Sequence, residues 1–193
     1  MTDTTSLTKN PTVSATPDTA SIPTPPKETT HTRPQVVLGV ARIGLGWIFL
    51  WAFLDKTFGL GFQTSSESAW INGGSPTTGY LTGQGDSDKP LAELMATMSG
   101  QAWVDWMFMF GMCSVGIALI LGIGMRLAAV GATCLMGTLW LSQFPLAQNP
   151  FMDQHLMYLL LAIALAATNA GDTIGLGRRW SQTGLVLALP ILR

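Results

Sequence analysis

Arg42 is the only charged residue between Arg33 and Asp55, in an otherwise apolar run. On a helix rising ~1.5 Å per residue it lies roughly 13 Å beyond Arg33. A guanidinium at such depth in a bilayer costs at least ~2.5 kcal/mol, and it normally faces the interior of a bundle. At about 100° per residue, Gly39, Arg42, Gly46, Phe49, Phe53 and Lys56 share one stripe, and Asp55 points away from it. Glycines on a stripe let a neighbouring helix approach closely. Two chemistries fit Arg42: contact with an anion or a quinone oxygen, or bonding to backbone carbonyls of a broken helix.

A second set of polar residues falls at the ends of apolar runs. Asp55 and Lys56 close the first run, Asp105 opens the second, and Asp153 and His155 open the last long one. His155 is the only histidine outside the N-terminal tail, and Tyr158 shares its helical face. An imidazole exchanges protons near neutral pH and so suits a quinone, whose reduction consumes protons. Each residue also has a plainer role. An acid in a first turn complements the helix dipole, Asp55 and Lys56 can anchor an interface, and His155 can sit among headgroups. Cys113 and Cys134 lie in apolar runs with no C-x-x-C spacing, as buried thiols or as a redox pair across two helices. One histidine and scattered carboxylates do not make a metal site. Two facing histidines for a haem are lacking, as is any flavin or nicotinamide fingerprint. The expectation is a chain with no metal, haem or flavin, and so without an electron carrier of its own.

The elements that must position these residues are membrane spans. The 193-residue chain is 48% hydrophobic and 11% charged, against about 25% charged in soluble domains. Its net charge of −1 argues against a nucleic-acid partner. Spans are expected at 34–54, 106–125, 127–144 and 150–170, with Asn149-Pro150 starting the fourth. The fold class is therefore an all-α membrane protein, a four-transmembrane-helix bundle with a long outer loop between helices one and two. Arg33, Arg126 and Arg178-Arg179 put both termini in the cytoplasm of a multi-pass cell-membrane protein. Arg126 marks a tight hairpin between spans two and three.

The 55–104 loop is more than a linker. Glycines and Pro76 dictate turns, while Trp70, Tyr80 and Leu81 seek an interface. Leu91, Leu94, Met95 and Met98 fall at helical spacing, which predicts a short amphipathic helix along the membrane surface, with the loop folded over the outer mouth of the bundle. Residues 1–33, rich in Thr, Pro and Ser, read as a disordered cytoplasmic tail. Residues 34–181 form the membrane domain. Residues 182–193 are a short C-terminal cytoplasmic segment whose apolar run, Leu185–Leu192, is too short to cross.

Arg42-x3-Gly46-x2-Phe49-x6-Lys56 and the stretch Leu121–Ala129 resemble motifs of the DoxX/DoxD family of small four-helix membrane proteins. The DoxD branch is suggested by Gly73-Gly74-Ser75-Pro76-Thr77-x-Gly79, by Asn149-Pro150-x2-Asp153-x-His155-x2-Tyr158, and by the run from Gly175 to Trp180. The resemblance covers about residues 36–181. It implies the membrane subunit of a thiosulfate:quinone oxidoreductase acting with a second small subunit. On that expectation His155 and Asp153 handle protons, and Arg42, Lys56, Trp70, Asp105 and Tyr158 line the substrate or quinone site. The alternative is a non-catalytic accessory subunit of a larger respiratory complex. A small-solute transporter is the third reading, disfavoured because no inverted repeat is visible.

Overall fold

A computed structural model describes residues 1–2 and 33–192; the segment read as a tail lies almost wholly outside them. The described residues 33–192 lie in one compact unit and are all-helical, without a strand among them. The helices are α1 (Arg33–Phe58), α2 (Thr78–Gly85), α3 (Ala92–Met98), α4 (Ala102–Leu121), α5 (Met125–Ser142), α6 (Gln154–Ala167), α7 (Gly177–Ser181) and α8 (Gly184–Ala188). Three of them, α1, α4 and α5, are long and apolar enough to cross a membrane.

The long helices pack in sequence. α1 lies on α4, α4 on α5, α5 on α6, and α6 reaches back to α1. Their core joins Leu45 and Phe49 of α1, Met112, Val115 and Leu119 of α4, Ala128, Ala132 and Met136 of α5, and Ala162 and Leu165 of α6. Large apolar side chains also cover the outside, among them Trp47, Phe110, Val130 and Leu160. A bundle apolar inside and out belongs in lipid rather than water.

Small residues set the closest approaches. A Cβ on Gly46 would stand 2.9 Å from the Ile120 amide, and one on Gly116 would stand 2.8 Å from the Leu50 amide. These pairings run α1 antiparallel to α4. The expected hairpin at Arg126 is a three-residue turn from Leu121 to Met125, with Gly122 and Gly124 both at positive φ, +75° and +58°.

The fourth apolar helix starts later and is shorter than expected. Asn149 and Pro150 do not begin it. Asn149 instead closes a turn by accepting from the Phe151 and Met152 amides at 3.0 and 2.8 Å. Asp153, in extended conformation, is the true N-cap and accepts from the Leu156 amide at 2.9 Å. At the other end Asn169 turns left-handed, φ 49°, and stops the helix. At ~1.5 Å per residue its 14 residues measure about 21 Å.

The loop folds onto the end of the bundle where α1 and α5 finish and α4 and α6 begin. Its predicted helix is α3, but Met95 turns inward onto Leu81 of α2 and Val104 of α4, while Leu94 stays exposed. α2 was not anticipated.

Candidate functional site

At the end of the bundle away from the loop, Arg42 is fully buried. Its Nη1 donates to the Leu119 and Ile120 carbonyls at 2.6 and 3.1 Å, and its Nη2 to those of Thr173 and Ile174 at 3.4 and 2.7 Å. Leu119 and Ile120 belong to the last turn of α4, whose carbonyls lack helical partners. Ile174 is β-branched yet sits at φ 52°, a strained conformation that Arg42 holds in place. Glycines make the room: a Cβ on Gly122 would meet Arg42 Nη1 at 2.4 Å, and one on Gly175 would meet Nη2 at 2.9 Å. The planar fork thus ties α1, the end of α4 and the turn after α6 into one knot. Of the two chemistries open to Arg42, backbone bonding occupies both terminal nitrogens.

At the loop-covered end, two carboxylates also serve the backbone. Asp55, buried, accepts from the Phe62 and Gln63 amides at 3.2 and 3.0 Å, turning the chain out of α1. Asp105 Oδ1 accepts from Ser75 Oγ at 2.9 Å, from the Thr77 amide at 3.1 Å and from Thr77 Oγ1 at 2.6 Å. The glycine-rich segment is thereby pinned to the first turn of α4. Trp70 meets Trp106 of α4 edge-on, with centroids 4.7 Å apart. Tyr80 Oη bonds the buried Ser142 Oγ at 2.7 Å, fastening α2 to the end of α5. Lys56 is half-buried at this same end.

His155 and Asp153 do come together. His155 Nδ1 lies 2.6 Å from Asp153 Oδ2, with side chains 15% and 16% exposed. Gln143 Nε2 approaches the same Nδ1 at 3.3 Å. One ring nitrogen cannot donate to a carboxylate and accept from an amide at once. The shorter, charge-assisted contact decides, so Nδ1 carries the proton given to Asp153. Nε2, which makes no hydrogen bond among the described residues, is left with a lone pair when the ring is neutral and a transferable proton when it is charged. Asp153 meanwhile spends its other oxygen on the helix cap. Tyr158 is partly buried against the core on the same helix. No hydrogen bond or ion pair joins the dyad to Lys56, Asp105 or Trp70 among the described residues.

Sequence reasoning missed Gln143, which ends α5 and faces His155 across the turn. Its signal was available in outline, because an antiparallel hairpin sets the last residue of one helix beside the first turn of the next. It also missed Ser75, Thr77 and Ser142 as partners. Cys113 and Cys134 are free thiols, the second exposed on the outside of α5. No group of three or more His, Cys, Asp or Glu that could hold a metal occurs among the described residues. No family model, curated protein or solved structure matches this chain.

Proposed function

We propose that this protein is a four-span membrane subunit of a quinone-linked oxidoreductase, with both termini cytoplasmic and with thiosulfate as the reductant handled by a partner subunit. The observation that carries the reading is the His155–Asp153 contact at 2.6 Å beneath the loop-covered end. A carboxylate on Nδ1 fixes the tautomer and the ring's orientation, leaving Nε2 to exchange a proton with a reacting oxygen. Quinone reduction requires such a donor. Two thiosulfates lose two electrons in joining through a new S–S bond as tetrathionate. The quinone takes those electrons and two protons, and becomes quinol. His155 passes protons from water to the quinone oxygens. Tyr158, on the same face of α6, flanks the ring. The resemblance to the DoxX/DoxD motifs supports the substrate class.

The test uses the full chain, purified from its native membranes in mild detergent with its partner. Thiosulfate added with a soluble quinone analogue should bleach the quinone absorbance. His155→Gln should cut the rate about 10²-fold or more, as loss of a general acid does. Asp153→Asn retains the cap, since Asn caps nearly as well as Asp, and should cut it less. Absence of thiosulfate-dependent reduction in the intact wild-type assembly, or an unchanged rate in His155→Gln, overturns the proposal.

One set of observations favours the accessory-subunit reading. The two terminal nitrogens of Arg42, both oxygens of Asp55 and Oδ1 of Asp105 bond the chain's own backbone and loop. Stable co-purification with a cytochrome complex, without sulfur-linked quinone reduction, would select it.

A further inference from the structure

The C-terminal segment is folded in a way that a water-exposed tail does not explain. Residues 184–192 form α8 and a final 3-10 turn. Val186 is buried, yet Leu185, Leu187, Leu189 and Ile191 are 55%, 70%, 52% and 57% exposed. Two hydrogen bonds hold the segment against the bundle: Trp180 Nε1 donates to the Leu192 carbonyl at 2.6 Å, and Arg126 Nη1 to the Pro190 carbonyl at 3.0 Å. The four exposed side chains are therefore presented on a fixed surface. Nine residues cannot cross a ~30 Å hydrocarbon core even as a straight helix.

Its surroundings say what covers it. Arg126 opens α5, whose first turns expose Leu127 and Val130, so the apolar patch continues onto the outer face of a membrane-length helix. Arg126 and Arg179 are exposed beside it, and residues 173–193 carry three arginines and no acid. Leucines flanked by arginines at the level of a span's end match the boundary between acyl chains and anionic headgroups.

We propose that residues 184–192 lie in the plane of the bilayer interface, with Leu185, Leu187, Leu189 and Ile191 in the acyl boundary and Arg126 and Arg179 against anionic phospholipid headgroups. The segment is a surface anchor. The inference rests on α4 and α5 crossing the bilayer and is independent of the redox reading.

The test places an environment-sensitive fluorophore on Leu187→Cys, and separately on Phe110→Cys, in full-length protein carrying Cys113→Ala and Cys134→Ala. The protein is reconstituted in phosphatidylcholine vesicles with and without phosphatidylglycerol. The probe at 187 should be quenched by lipids labelled near the headgroup and shielded from aqueous iodide. The probe at 110 should be quenched by lipids labelled deep in the chain. Omitting phosphatidylglycerol, or introducing Arg179→Gln, should weaken quenching at 187 by the headgroup-labelled lipid, with the embedded-to-open ratio falling about fivefold for the single arginine. A 187 probe open to iodide beside a lipid-quenched 110 probe overturns the anchor and leaves the spans standing. A 187 probe shielded from both quenchers also overturns it, since protein then covers the patch. Lipid quenching at 187 that ignores phosphatidylglycerol overturns the role of the arginines. A 110 probe open to iodide overturns the spans, and the anchor with them.

Discussion

At the scale of the residue, Arg42 matters most for what it leaves behind when removed. Its two terminal nitrogens serve four carbonyls of the chain, drawn from α4 and the turn after α6. The bonds to the Leu119 and Thr173 carbonyls are buried, so each of these two would lose a buried hydrogen bond. Arg42→Met should therefore lower stability by about 3 kcal/mol or more, the scale of breaking buried hydrogen bonds to a charged group. Arg42→Lys should recover only part of that, because an ammonium on a flexible stem cannot reproduce a planar fork across two elements. Thermal unfolding in detergent, followed by a thiol-reactive dye, measures both. An Arg42→Met protein as stable as wild type would show that the fork is not structural. The need for an inward-facing arginine with oxygen partners was legible from its stripe alone. The partners were not, because they lie 77 to 132 positions away and a backbone carbonyl carries no sequence signature. The same holds for Asp55 and Asp105, which look like free carboxylates until the loop closes on them.

At the scale of the element, close contact between α1 and α4 is set by two glycines that face each other's helices. Gly46 lies under Leu119 and Ile120, and Gly116 lies under Leu50. In both cases a Cβ would meet backbone, which cannot step aside as a flexible side chain can. Gly116→Leu and Gly46→Leu should each push the helices apart and cost about 1–3 kcal/mol, the usual range for overpacking. Gly44 meets nothing within 4 Å, and Gly44→Ala should be neutral or slightly stabilising by helix propensity. The three midpoints, compared in one detergent, test the contact; equal losses at 44 and 116 would refute it. Gly46 could be picked out in the sequence because it shares the Arg42 stripe, whereas Gly116 sits in a uniformly apolar run that gives no face preference. The start of α6 was misread for a related reason. Asn149 and Asp153 are both good caps four residues apart, and nothing in the sequence says that Asn149 spends its side chain on the turn amides of Phe151 and Met152. α3 was visible through its spaced leucine and methionines. α2 was not, because three glycines in eight residues argue against a helix that tertiary contacts nonetheless hold.

At the scale of the whole molecule, the open quantity is the parity of the spans. Three long helices alone would put the termini on opposite faces, and a fourth crossing would return them to the same face. α6 is about 21 Å long, short of a ~30 Å core. Its flanks, however, are tied to opposite ends of the bundle. Before its first full turn, His155 meets Gln143 at the end of α5. Beyond its last turn, the Ile174 carbonyl accepts from Arg42, beside the final turn of α4. A segment tied at its start to the end of α5 and, past its finish, through Arg42 to the end of α4 runs between the two ends of the bundle, whatever its own helical length. Past Gln154 its outer face is apolar, with Met157, Leu160 and Ile163 exposed, and the preceding turn adds exposed Phe151 and Met152. The bilayer can thin locally, or that turn can sink to meet it, at a modest cost per ångström of mismatch. Both termini should then lie on the cytoplasmic face, with the loop between α1 and α4 outside. Fluorescent-protein fusions at each terminus should glow, and alkaline phosphatase inserted near Asp86 should be active only in that loop. Reporters on opposite faces would remove α6 from the membrane. The His155–Asp153 pair would then stand on a three-span protein, and the quinone site proposed at the dyad would lose the span that carries it.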